Sequence, residues 1–268
     1  MKMELTMLGT GNALVTKCYN TCFVLKNENE YLLVDGGGGN GLLSQLEKAN
    51  ISWKDLHHIF VTHKHIDHVM GIVWMVRMIG QHMHQDEYEG DAYIYAHEEL
   101  CKIINDVCQL LLNKKELKYI GKRIHFIKLN DGDKHQIISN EFTFFDIRST
   151  KAKQYGFMMK YDGDKKLVCC GDEPYNDALK EYAINADFML HEAFCLYEQR
   201  DIFHPYEKHH STVKDAAELA NELNIKNIVL YHSEDKNIVN RKALYTKEGA
   251  LYFKGNIYVP DDLETISI

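Results

Sequence analysis

Short apolar runs bounded by Gly, Asn or Asp fill the first third of the chain. Glu4 to Leu8, Thr21 to Leu25, Tyr31 to Val34 and His58 to Thr62 are each rich in β-branched or apolar residues, and each predicts a strand. Two stripes at helical spacing interrupt them. Leu42, Leu43, Leu46 and Ala49 form the first, and Val69, Ile72, Val73, Val76 and Ile79 the second. Strand alternating with helix is the rhythm of a layered α/β fold. The stretch Gly80 to Gly90 is polar and aperiodic, which predicts a surface loop.

A strand at Ala92 to Ala96 leads into a helix whose apolar positions are Leu100, Ile103, Ile104, Val107, Cys108 and Leu111. Five more strands follow at Ile124 to Leu129, Phe142 to Ile147, Phe157 to Tyr161, Leu167 to Cys170 and Phe188 to Leu190. Turns such as Asn130-Asp131-Gly132-Asp133 separate them. Thr212 with Asp215 three residues on predicts a capped helix start, and Ile228 to Tyr231 predicts a strand that delivers His232. There is no repeat and no low-complexity tract, and the chain has only three prolines, so a single domain over 1–268 is expected.

Composition narrows the class. With 45% hydrophobic and 26% charged residues the chain can bury a core, and no apolar run is long enough to cross a bilayer. An acid in the first ten residues, where a secretory signal is apolar, predicts a cytoplasmic protein. Seven scattered cysteines predict reduced, mostly buried thiols rather than a disulfide framework. A net charge of -8 supplies no general positive field for a polynucleotide. Fifteen histidines, many at the ends of strand-like runs, are the feature that calls for chemistry.

The densest cluster is Thr62-His63-Lys64-His65-Ile66-Asp67-His68, directly after an apolar strand. Imidazole nitrogens and a carboxylate suit zinc, manganese or iron, and two histidines two residues apart can point the same way. Two ions about 3.5 to 4 Å apart can polarise a phosphoryl or carbonyl oxygen and activate a water. Asp172 after Leu167 to Gly171, and His232 after Val229 to Tyr231, end apolar strands where a ligand is held rigidly.

Taken with Leu8-Gly9-Thr10-Gly11, Leu33-Val34-Asp35-Gly36-Gly37, Gly171-Asp172, His191-Glu192-Ala193, His210-Ser211-Thr212 and Val229 to Ser233, this cluster resembles the metallo-β-lactamase superfamily, most closely its ribonuclease Z-like branch. The resemblance runs along nearly the whole chain and implies a four-layer αββα sandwich. It implies that His63 and His65 hold one metal, that Asp67, His68 and His232 hold the other, and that Asp172 bridges them. Asp67, Glu192 and His210 are then the catalytic residues, with Glu192 and His210 supporting proton transfer to the leaving oxygen. Asp35 braces the histidine loop, and His191 either shares in catalysis or holds a ligand in place.

One position departs from that pattern. The superfamily places a further histidine on the first metal after the strand that here ends Phe144-Phe145-Asp146-Ile147, but Arg148-Ser149-Thr150-Lys151 follows, and arginine has no lone pair to donate. A site working with one tight ion, His125 filling the gap, or a loss of metal binding would each account for this. Arg148 itself either binds an anionic substrate group or makes a surface ion pair. The long Gly- and Pro-rich arm of tRNA-processing members has no counterpart. The expected protein is a metal-dependent phosphodiesterase using metal-activated water, with one or two divalent ions, zinc first, and a small-molecule or RNA phosphodiester as substrate. The resemblance also implies a homodimer. A hydrolase of small esters, lactones or sulfates, and a non-catalytic metal- or ligand-binding protein, are the rival readings.

Overall fold

The computed structural model describes residues 3–268. The first half of the chain runs β1 (Glu4–Gly9), β2 (Cys22–Asn27), β3 (Glu30–Val34), α1 (Gly41–Lys48), β4 (His58–Phe60), α2 (Ile66–His84), β5 (Ala92–His97), α3 (Glu98–Leu111), α4 (Lys114–Leu117) and β6 (Ile124–Leu129). The second runs β7 (Lys134–Ile137), β8 (Asn140–Asp146), β9 (Tyr155–Tyr161), β10 (Lys165–Cys169), α5 (Lys180–Ala183), β11 (Phe188–Glu192), α6 (Arg200–Phe203), α7 (Val213–Glu222), β12 (Asn227–Tyr231), α8 (Arg241–Gly249), β13 (Asn256–Tyr258) and β14 (Thr265–Ser267).

Two seven-stranded sheets result, in the orders β14-β1-β2-β3-β4-β5-β6 and β13-β12-β11-β10-β9-β8-β7. Both faces of each are covered, which is why the central strands read as continuous apolar runs rather than alternating ones. Leu32 and Val34 of β3 point into the space between the sheets with Phe60, Phe144 and Phe157, while Leu33 points out to Leu42, Ile72 and Ile104 under α1, α2 and α3. On the other sheet Val229 and Tyr231 face inward, and Ile228 and Leu230 face the layer holding Ala216, Ala220 and Tyr245. The structure is the expected αββα sandwich. The ring of Phe60 meets Phe144 at 4.9 Å and Phe157 at 5.7 Å across the central layer.

Helix α2 is locked against the turn after β3 by two glycines. Gly36 N–H donates to the His68 carbonyl at 2.8 Å and Gly71 N–H donates to the Gly37 carbonyl at 3.0 Å. A methyl group on Gly71 would lie 1.8 Å from the Gly36 oxygen. Gly71→Ala should therefore lower stability by roughly 3 kcal/mol, the upper end of ordinary overpacking, visible as a lower urea midpoint at unchanged m-value. Three strands end in abrupt left-handed reversals at one rim of the sandwich: β3 at Asp35 (φ 58°), β10 near Gly171 (φ 84°) and β12 at His232 (φ 57°).

The segment Gly80 to Gly90 is not a loop throughout. Helix α2 continues to His84, and the polar residues face outward while Met83 is buried and His82 stacks on Trp53 at 3.8 Å. The edge strands β7, β13 and β14 and helix α8 escape the periodicity reading. Three- and four-residue strands offer no alternation to detect, and α8 begins with a buried arginine, Arg241.

Candidate metal centre

Strand β4 and helix α2 deliver four donors over six residues. His63 lies in the connecting loop, His65 is the N-cap of α2, and Asp67 and His68 occupy its first turn, where a carboxylate is favoured by the helix N-terminus. Asp172 follows β10 and His232 follows β12. Among the described residues these form two groups whose ligand atoms lie within 4.8 Å of one another: His63, His65 and Asp172, and Asp67, His68 and His232. Asp172 reaches both. Its Oδ2 stands 3.6 Å from His63 Nε2, 3.4 Å from His68 Nε2 and 3.5 Å from His232 Nε2. Donors bonded at 2.0–2.1 Å to one tetrahedral ion lie about 3.3 Å apart, so these spacings match a shared cation.

Hydrogen bonds set the imidazoles in the required tautomer. The Thr62 hydroxyl donates to Asp35 Oδ2 at 2.7 Å, so His63 Nδ1–H donates to Thr62 Oγ1 at 2.9 Å and Nε2 keeps its lone pair. The Thr21 hydroxyl donates to the Gly11 carbonyl, and His232 Nδ1–H donates to Thr21 Oγ1 at 3.1 Å with the same result. Asp35 accepts Thr62 N–H at 2.8 Å and His68 Nδ1–H at 2.7 Å, bracing the loop as the resemblance implied. His68 Nε2 is buried without a hydrogen-bond partner, which fits a donor set built for a cation. Gln154, buried behind the site, donates from Nε2 to Asp172 Oδ1 at 2.7 Å and leaves Oδ2 to face the histidines.

Charge states agree with this. Burial, with His68 and His65 nearby, holds His63 well below the usual imidazole range despite Asp172, and burial likewise pushes His232 down to about 3 and lowers His65. Burial works against ionisation of Asp67 and Asp172, but the adjoining histidines outweigh it and keep both carboxylates well below their ordinary values. His68 alone is raised: burial opposes its charge, yet Asp35, Asp172 and Asp67 surround it. Neutral imidazoles facing ionised carboxylates are what a divalent cation needs, and a cation would displace the proton His68 holds. Asp35→Ala, which removes a brace and no ligand, should weaken metal affinity 10- to 100-fold, measured by competition with a chelating dye.

Glu192 ends β11 and His210 precedes α7, with Glu192 Oε1 accepting the Ser211 N–H. Glu192 Oε2 and His210 Nδ1, both buried and otherwise unpartnered, are 3.6 Å apart. The His210 ring stacks on Phe194 at 4.9 Å and lies 5.2 Å from His232. His191 hydrogen-bonds the Glu192 carbonyl at 2.7 Å, not a donor side chain. His125 does not fill the ligand gap. It pairs with Asp91 at 2.8 Å at the start of β6, level with His58, whereas the donors lie beyond the opposite end of β4. Arg148 turns away in a left-handed conformation (φ 60°) to an exposed ion pair with Asp131 at 2.7 Å.

An open cavity of about 550 Å³ leads to the donors, walled by Asn12 to Val15, Phe194, Phe203, His210, Lys151, Lys208 and Lys236. Sequence reasoning missed Gln154, Thr21 and Thr62. A threonine beside a histidine is a weak hint for Thr62, whereas nothing local marks Thr21 or Gln154.

The Anti-Pycsar protein Apyc1 family model matches residues 3–254. Ribonuclease Z of Bacteroides fragilis (strain YCH46) is 21% identical over 304 residues, covering 96% of this chain and 99% of that protein. Among solved structures, the metallo-β-lactamase fold protein YhfI from Bacillus subtilis superposes with a TM-score of 0.80 at 18% identity, covering 100% of both chains. The short form of human tRNase Z gives 0.73 at 22% identity, covering 99% of both. The chain belongs to the Apyc1 anti-Pycsar family, within the metallo-β-lactamase superfamily of metal-dependent hydrolases and near its ribonuclease Z branch.

Proposed function

We propose that this protein is a phosphodiesterase whose metals are held by His63, His65 and Asp172 on one side and by Asp67, His68, His232 and the shared Asp172 on the other. The observation that carries this reading is the convergence of six donors in two groups, four of them lining one pocket, with His210 at its wall and Glu192 buried behind it. Zinc, manganese or iron bound there supplies an activated water and polarises a phosphoryl oxygen. The chain's own groups do the rest. Asp67, ionised and bordering the pocket, orients the attacking water by accepting its hydrogen bond. His210 delivers a proton to the leaving oxygen while Glu192 holds its charge, a pairing suited to expelling an alkoxide.

The similarity to proteins named ribonuclease Z supports phosphorus as the reaction centre. The cavity's size favours a small phosphodiester over a folded RNA. Seven cysteines without disulfides support a cytoplasmic setting, and among the described residues no helix is long and apolar enough to cross a membrane. The test is turnover of bis(p-nitrophenyl) phosphate by protein loaded with zinc or manganese, beside chromogenic lactones, thioesters and sulfate esters. Phosphodiester cleavage is expected, and cleavage of another ester class without it would replace this assignment.

A further inference from the structure

The loop between β8 and β9, where the superfamily resemblance calls for another histidine, sends one side chain to the pocket wall: Lys151, in a lining that also holds His65, Asp67 and Asp172. Buried Glu173 fixes the loop, accepting the Ser149 hydroxyl at 2.6 Å and the Thr150 N–H at 3.2 Å. Lys151 Nζ stands 3.9 Å from the same carboxylate, an ion pair too long for a hydrogen bond. The ammonium donates one hydrogen bond, to the Lys208 carbonyl at 3.1 Å, and its side chain is only 24% exposed. With one hydrogen bond and a distant ion-pair partner, the ammonium keeps N–H groups free to meet an acceptor that enters the cavity.

An ammonium cannot ligate a cation, but it matches a phosphate oxygen, and Lys151 is one of three lysines that line this cavity, with Lys208 and Lys236. We propose that Lys151 is a specificity-determining residue that binds a non-bridging oxygen of the substrate phosphate on the His63 and His65 side of the site. This rests on the phosphodiesterase reading. The competing role is a clasp, because Lys151 and Thr150 also tie this loop to the segment carrying His210, the latter through His209 at 3.2 Å.

Metal-loaded wild type, Lys151→Met and Lys151→Arg should be compared for inorganic phosphate affinity, metal per chain, and kcat and KM on a phosphodiester. Lys151→Met is expected to weaken phosphate binding and raise KM by about tenfold or more, the size of a lost charge-assisted hydrogen bond, with metal content and kcat little changed. Lys151→Arg should recover most of both. Unchanged phosphate affinity in Lys151→Met, or no phosphate binding by the wild type, overturns the proposal, and a fall confined to kcat assigns the clasp instead. If no phosphodiester is cleaved yet phosphate affinity depends on Lys151, the reaction class fails and the anion contact stands. Cleavage with an indifferent Lys151→Met is the reverse case.

Discussion

Asp172→Asn should leave a folded protein that holds metal poorly at both donor groups and turns over at least about a thousandfold more slowly, since metal ions supply several kcal/mol of transition-state stabilisation. Asp172 Oδ2 lies within 3.6 Å of Nε2 of His63, His68 and His232, so its loss is expected to reach both donor groups. Asparagine is the informative replacement. Its amide oxygen can still accept the Gln154 hydrogen bond that Oδ1 receives, while the NH₂ group turned toward the imidazoles has no lone pair for a cation. Asp172→Ala would also strand the buried Gln154 donor, adding a stability loss of about 1–3 kcal/mol that confuses the reading. Metal analysis, turnover and a thermal melt of the Asn variant separate the two effects. Retention of two tightly held ions per chain would refute the shared role.

His210→Ala should lower kcat by roughly 10²- to 10⁴-fold on a phosphodiester with a poor, alkoxide leaving group, with metal content unchanged. On a p-nitrophenyl ester the loss should be far smaller, because a stable phenolate leaves without protonation. That contrast identifies an acid acting on the leaving oxygen better than the size of either effect. Since His210 Nδ1 faces Glu192 Oε2, the pair works as a unit, and His210→Ala with Glu192→Gln should be scarcely slower than His210→Ala alone. Equal losses on both substrates would mean that His210 organises the pocket instead of donating a proton.

What the sequence discloses here follows from how far each signal extends along the chain. His63 to His68 fall in one strand-to-helix connection, so their convergence is local and can be read from spacing. Asp172 and His232 are more than a hundred residues further on, and the resemblance placed them, although each also ends an apolar strand. The buried strands announce themselves because both faces are covered. The short edge strands β7, β13 and β14 do not, because a segment such as Thr265–Ser267 gains its structure from pairing with Glu4 to Thr6 at the far end of the sequence. Arg241 shows the same limit. A charged residue opening a helix reads as exposed, yet its guanidinium is buried against Thr10 Oγ1 at 2.8 Å and the Pro260 carbonyl at 3.2 Å. Polar residues from Gly80 onward mislead in the other direction, since a helix with one solvated face keeps its hydrogen bonds whatever that face carries.

The left-handed strand ends at Asp35 and His232 set activity against thermostability. A side chain in that conformation costs on the order of 1 kcal/mol or more relative to glycine, which Gly171 adopts freely after β10. Both strained residues belong to the candidate donor set or its brace, so the backbone tension sits at the proposed site. A screen that rewards heat resistance alone, without asking for turnover, should therefore find asparagine, which tolerates this conformation, more attractive than other replacements at 35 or 232.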